Sequence, residues 1–149
     1  MMARHAQPGR VTWIGLRSDR NAHVDVVQSA EVIESGFVGD HARAGKRAVT
    51  LIQAEHLPVI AAFAAQQNVA PDQLRRNLVI SGLNLLALRK GFIQVGATTL
   101  EIHGPCPPCS RMEKELGPGG YNAMRGHGGW YASVTVPGLV QVGDTVEPK

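Results

Sequence analysis

Apolar and polar positions in this chain alternate over short stretches that Gly, Pro, Asn and Asp cut repeatedly. Stretches of period two predict strands. They cover Arg10–Leu16, His23–Gln28, Arg47–Ile52, Leu78–Gly82, Phe92–Gly96, Thr98–His103, Trp130–Val136 and Val140–Val146. The pair Phe92–Gly96 and Thr98–His103 reads as a hairpin. Helical spacing is clear once, over Ala54–Gln67, where Leu57, Ile60, Ala61 and Ala64 form one apolar stripe. Pro58 fits only a first helical turn, so that helix begins close to it. Pro71–Leu74 reads as a helical turn, and Leu85–Leu88 as an apolar turn. Ser110–Leu116 is a short helix stopped by Gly117-Pro118. Gly119–Gly126 is a second short helix or a loop.

About eight short strands with one good helix do not suit a parallel α/β architecture, which needs a helix between most strands. The expected fold is mainly β with peripheral helices, a mostly antiparallel β-barrel. A length of 149 residues suits a single domain, residues 1–149, with its core at about 10–147. The 17 glycines and 9 prolines agree with many turns. A net charge of +3 is compatible with an anionic ligand and too weak to argue for nucleic acid. No apolar run reaches the roughly 18 residues of a spanning helix, so no membrane partner is expected. Residues Met1–Arg10 lack the apolar stretch of a signal peptide. The expected compartment is the cytoplasm, where paired cysteines are catalytic or metal-binding more often than structural.

Both cysteines lie in His103-Gly104-Pro105-Cys106-Pro107-Pro108-Cys109-Ser110, a junction between a predicted strand and a predicted helix. Ser110-x-x-Glu113 has the form of a capping box. With Ser110 as N-cap, Cys109 lies at the positive end of a short helix, which pushes a thiol toward thiolate. Thiolate attacks electrophiles and ligates soft metals. Cys109 is therefore the expected chemical centre, against the bland alternative of two buried small hydrophobes. Two cysteines cannot complete a zinc site alone; His103 and His127 would have to join them, in a spacing that matches no common finger. Arg75-Arg76 at a strand entry is either a bidentate phosphate clamp or a solvated basic corner. The loop Gly36–Lys46, with its glycines, Asp40, His41 and bases, is either a ligand loop or a plain turn.

Taken in chain order, Gly39-Asp40-His41, Arg76-Asn77-Leu78-Val79-Ile80-x-Gly82, Pro-x-x-Cys109 after a strand, and Val142-Gly143-Asp144 resemble the MOSC domain. That domain ends molybdenum cofactor sulfurase, and also occurs as stand-alone bacterial proteins and in the amidoxime-reducing components. The resemblance runs from about Trp13 to Val146. It implies a barrel-rich fold that binds molybdenum cofactor (molybdopterin), with Cys109 as molybdenum ligand or as a persulfide sulfur carrier. It also implies that Arg76 and Asn77 hold the pterin or its phosphate, with Arg75, Asp40 and Arg47 completing the candidate cofactor-binding set. The family loop has the form Gly-Asp-x-x-His; here the histidine follows the aspartate directly. Cys106 stands where relatives often carry another residue, either as a resolving thiol or as an accident of this sequence.

The leading expectation is molybdenum-dependent reduction of an N-hydroxylated small molecule, with electrons from a separate flavin or iron–sulfur protein. The alternatives are a sulfur carrier served by a sulfur donor, and a non-enzymatic zinc module built on His103, Cys106, Cys109 and His127. No pyridoxal phosphate site is expected, and Lys46, Lys90, Lys114 and Lys149 read as surface charges. Two cysteines cannot hold an iron–sulfur cluster.

Overall fold

The computed structural model describes residues 1–149. Its first strand, β1 (Gly9–Arg17), has three partners along its length. Gly9 and Arg10 pair with β11 (Thr145–Pro148), Arg10–Ile14 with β6 (Leu78–Ser81), and Ile14–Arg17 with β2 (Val24–Val27). The change of partner closes the sheet. The remaining barrel strands are β5 (Val49–Gln53), β7 (Phe92–Val95), β8 (Thr98–Pro105) and β9 (Trp130–Val136). They close a seven-strand barrel in the order β1-β11-β7-β8-β9-β5-β6, and β2 extends the sheet from β1. Closure removes the unpaired edges of an open sheet. A second sheet sets β3 (Ser29–Ile33) between β10 (Gly138–Gln141) and β4 (Gly36–Phe37).

All barrel pairings are antiparallel except β5 with β6. A parallel pair needs a crossover, and α1 (His56–Phe63) with α2 (Pro71–Leu74) supplies it. Of two further helices, α3 (Ser110–Leu116) packs against α4 (Gly120–Met124), and α4 packs beside α1.

Strand alternation separates two cores. Leu51, Leu78, Ile80, Leu100 and Ile102 belong to the barrel interior. Ile52 and Val79, on the opposite faces of β5 and β6, join Ile60, Leu74, Met112 and Met124 beneath the helices. Both strands are thus buried on both faces, which explains their near-continuous apolar runs.

The expected mainly β barrel with peripheral helices is the fold observed. Three local expectations change. The single strand Val140–Val146 is two strands in different sheets, because Gly143 takes φ 95° and the Asp144 carboxylate accepts from the Gln141 N–H at 2.8 Å. The strands β3 and β4 fall in a stretch whose polar residues mask the alternation. The helix is shorter than Ala54–Gln67: it stops at Phe63, and Ala65 turns left-handed at φ 55°.

Ile80 is fully buried in the barrel. Ile80→Ala is expected to lower unfolding free energy by about 3 kcal/mol, read from the midpoint of urea denaturation at unchanged slope.

Candidate functional site

The outer face of the barrel changes character one pleat beyond the helical core. On β1, Trp13 is followed on the same face by Gly15 and Arg17; on β5, Thr50 lies one step from Ile52; before β6, Asn77 lies one step from Val79. These steps leave the apolar layer and enter a polar one.

Asn77 is fully buried and crosslinks that layer. Its Oδ1 accepts from the Thr50 N–H at 3.0 Å, and its Nδ2 donates to the Gly15 carbonyl at 3.0 Å and to Asp40 Oδ1 at 3.1 Å. The Asp40 side chain has no solvent exposure. It accepts from the Arg17 backbone N–H at 2.7 Å, from Arg17 Nε at 3.2 Å and Nη2 at 3.1 Å, and from the Ala42 N–H at 3.2 Å. Burial pushes the Asp40 carboxyl up, but the N–H groups and charge of Arg17 and the N–H of Ala42 outweigh it and hold it below the ordinary carboxylate range. Asn77 and Asp40 are therefore supports whose polar atoms are spent within the protein. What they position is Arg17.

Arg75 adopts a left-handed backbone, φ 57°, at the end of α2. Its guanidinium donates to the carbonyls of Asp19, Arg20 and Ala22, which pins that loop. The loop also receives Arg111, whose Nη2 donates to the Arg20 carbonyl at 2.8 Å and to Asn21 Oδ1 at 3.1 Å. Arg76 turns the other way and donates Nε to the Gly128 carbonyl at 2.8 Å. Arg47 stacks over the Tyr131 ring, Cζ 4.7 Å from its centroid.

These residues bound two cavities that meet at Cys109. The first, about 580 Å³, is lined by Arg17, Arg20, Arg75, Arg76, Arg111 and Lys114, with Glu115 as its one carboxylate. The second, about 480 Å³, adds Arg43 and Arg47 beside Thr50, Cys106 and Tyr131, with no carboxylate. Together they gather eight of the fifteen Lys and Arg residues in the chain. Arg17, His41, Arg76 and Cys109 line both. The cations repel one another: burial, then the charges of Arg111 and Arg17, push the Arg75 guanidinium below its ordinary value. An anion among them relieves that repulsion.

The two thiols differ. Cys109 is exposed, whereas Cys106 is half-buried, and the structure has no disulfide. Burial pushes the Cys106 thiol up against the opposing pull of Arg76, Arg47 and Arg17. The Ser110 capping box is not formed. Cys109 itself is the N-cap of α3, and Glu113 instead accepts from the N–H groups of Gly119 and Tyr121, each at 3.0 Å, because α4 follows closely enough to use it.

The zinc reading does not survive the fold. No group of three or more His, Cys, Asp or Glu side chains is arranged to hold a metal ion. His103 Nε2 is taken by Ser133 Oγ at 2.7 Å, and His127 packs against His56 and Phe63. A cofactor that brings its own sulfur ligands needs less. One accessible thiol for the metal and guanidinium groups for a phosphate are both present at this site, so the donor set fits molybdenum cofactor.

Of the expected site residues, Cys109, Arg75, Arg76 and Arg47 line the double cavity, and Asp40 and Asn77 stand behind it. Sequence reasoning missed Arg17, because the predicted strand ended at Leu16. Extending the alternation of β1 by one residue would have put it on the face of Trp13 and Gly15. Arg20, in the loop after β1, and Arg111 and Lys114, on α3, carry no local signal; they meet because α3 packs against that loop.

The MOSC domain model matches residues 23–147. The chain belongs to the MOSC domain family. Among solved structures it is similar to the YuaD protein from Bacillus subtilis, with TM-score 0.81, 17% identity and 94% of each chain covered. It is also similar to YiiM from Escherichia coli (TM-score 0.74, 22% identity, covering 94% of this chain and 69% of that one). A third is YiiM from Geobacillus stearothermophilus (TM-score 0.79, 15% identity, covering 95% and 75%). No curated protein sequence matches. At these identities the structures establish the shared fold. Among the helices of this MOSC protein none is long and apolar enough to cross a membrane.

Asp40→Asn is expected to cost about 3 kcal/mol at neutral pH by leaving Arg17 without its buried partner. Because the folded carboxyl titrates below its unfolded value of about 4, its contribution is present above that value and lost as pH falls through the folded one. The stability gap between wild type and variant, measured by urea denaturation, should therefore hold from about pH 8 to 6 and narrow below about pH 5.

Proposed function

We propose that this MOSC protein binds molybdenum cofactor in the double cavity, with Cys109 as the molybdenum ligand, and reduces N-hydroxylated small molecules. One observation carries the reading: the exposed thiol of Cys109 lies where two cavities lined by eight cations meet. A soft thiolate completes a metal held by dithiolene sulfurs, and clustered guanidinium groups suit a phosphate. When bound, the cofactor supplies two-electron chemistry at molybdenum.

The chain's own residues bind, orient and supply protons. Arg17 is held rigid by Asp40 and Asn77, so it meets an anion with little loss of side-chain freedom. Arg76 is fixed by Gly128 and borders both cavities. His41 is the one imidazole on both cavities and the proton donor to the departing oxygen. The N–O bond breaks, two electrons and two protons enter, and an amine and water leave. The electrons come from a separate flavin or iron–sulfur protein in the cytoplasm.

The exposure of Cys109 also suits a second reading, a sulfur carrier whose persulfide supplies metal–sulfur assembly. Elemental analysis separates the two. Protein from a host that makes molybdenum cofactor is expected to hold molybdenum near one per chain, lost in Cys109→Ser. Persulfide on Cys109 with no molybdenum would replace the first reading by the second.

Cys106→Ser is expected to leave molybdenum content within about twofold of wild type, since Cys106 is half-buried and burial pushes its thiol up. Loss equal to that of Cys109→Ser would make Cys106 a ligand too.

A further inference from the structure

A third cavity, about 550 Å³, shares Cys106 with the cationic site but not Cys109. Its chemistry comes from His56, Arg89, Lys90, His103, Cys106 and Trp130, and no carboxylate reaches its wall. From these groups we infer a second ligand site, one that takes a planar aromatic ring bearing a single anionic group.

The cavity has both halves of such a ligand's recognition. Arg89 and Lys90 are exposed cations at one part of the wall. The half-buried Trp130 indole and the His56 and His103 rings supply flat apolar surface, on which an aromatic ring stacks. His103 is held in place by its 2.7 Å bond to Ser133 Oγ.

Two irregularities fall at this cavity. Lys90 has φ 60°, a left-handed backbone uncommon for a lysine. Glycine would sit there without strain, so the lysine side chain is kept at a conformational cost. Behind His56, at 5.2 Å between ring centroids, His127 has a buried Nδ1 with no hydrogen-bond partner. Its neighbours Gly126 and Gly128 both line the cavity.

Cys106 lines this cavity and the second cationic one alike. Gly128 and Gly129 also line the third cavity, and a Cβ on Gly128 would meet the Cys106 carbonyl at 3.1 Å and Arg76 Nη2 at 3.5 Å. The Gly128 carbonyl holds Arg76, and the Gly129 carbonyl holds the Cys106 N–H at 2.8 Å. A ligand here therefore presses on the backbone that anchors Arg76.

Benzoate is the probe, with benzyl alcohol as its neutral counterpart. The chain has two tryptophans, so their indole N–H signals in a nitrogen–proton correlation spectrum report separately. Benzoate is expected to shift the Trp130 signal, identified by its loss in Trp130→Phe, and to slow N-ethylmaleimide labelling of Cys106 in Cys109→Ser. It should leave labelling of Cys109 in Cys106→Ser unchanged. Lys90→Gly should weaken benzoate about tenfold, the scale of one charge-assisted contact, without lowering the melting temperature. The inference is overturned if benzoate protects Cys109 instead, if benzyl alcohol binds as well, if neither thiol nor indole responds, or if Lys90→Gly binds like wild type.

Discussion

The buried carboxylate of Asp40 holds the site together. It lies where three segments meet, at the end of β1, in the loop after β4 and at the entry to β6, and Arg17, Asn77 and the Ala42 N–H surround it. A buried charge of this kind is tolerable when every lone pair is used. Asn77 repeats the principle with a neutral group and ties the same knot to Thr50 and Gly15. The result is a guanidinium fixed before any ligand arrives. Held in place in advance, Arg17 loses less freedom on binding than a flexible surface arginine would.

Charge is distributed against the grain of the whole chain. A protein with net charge +3 places eight cations around one double cavity with a single carboxylate among their lining partners. Several of these cations are anchored by backbone carbonyls, not by acids: Arg75 and Arg111 by the loop after β1, and Arg76 by Gly128. Carbonyl anchors fix geometry without neutralising charge. The positive potential is thus preserved for an anionic ligand, at the expense of mutual repulsion that the fold must absorb.

The two cysteines show how environment divides identical groups. Three residues apart, one is exposed at the meeting of two cavities and the other is half-buried in a wall between cavities. The Pro107-Pro108 pair stiffens the link between them. Cys109 has the access that ligation or sulfur transfer requires; Cys106 has the burial that keeps a thiol protonated.

Local sequence determined much of the architecture. Short alternating runs and a shortage of helices imply a mainly β barrel, and the doubly buried strands β5 and β6 are visible as apolar runs because both their faces meet a core. The junction at Cys109 and the paired arginines were also legible, since each is a contiguous motif. Tertiary structure decided the rest. It assigned Asn77 and Asp40 to support, because the pairing of β1 with β6 brings Gly15 to Asn77 and the loop after β4 folds Asp40 onto Arg17 and Asn77. It gathered Arg17 at the end of β1, Arg20 in the loop beyond it, and Arg111 and Lys114 on α3, residues with no shared motif, around one cavity. It sent Glu113 to α4 instead of to a capping box, and it split Val140–Val146 between two sheets. In each case the deciding partner lies outside the local segment, at a separation where a side-chain pattern of period two or 3.6 carries no information.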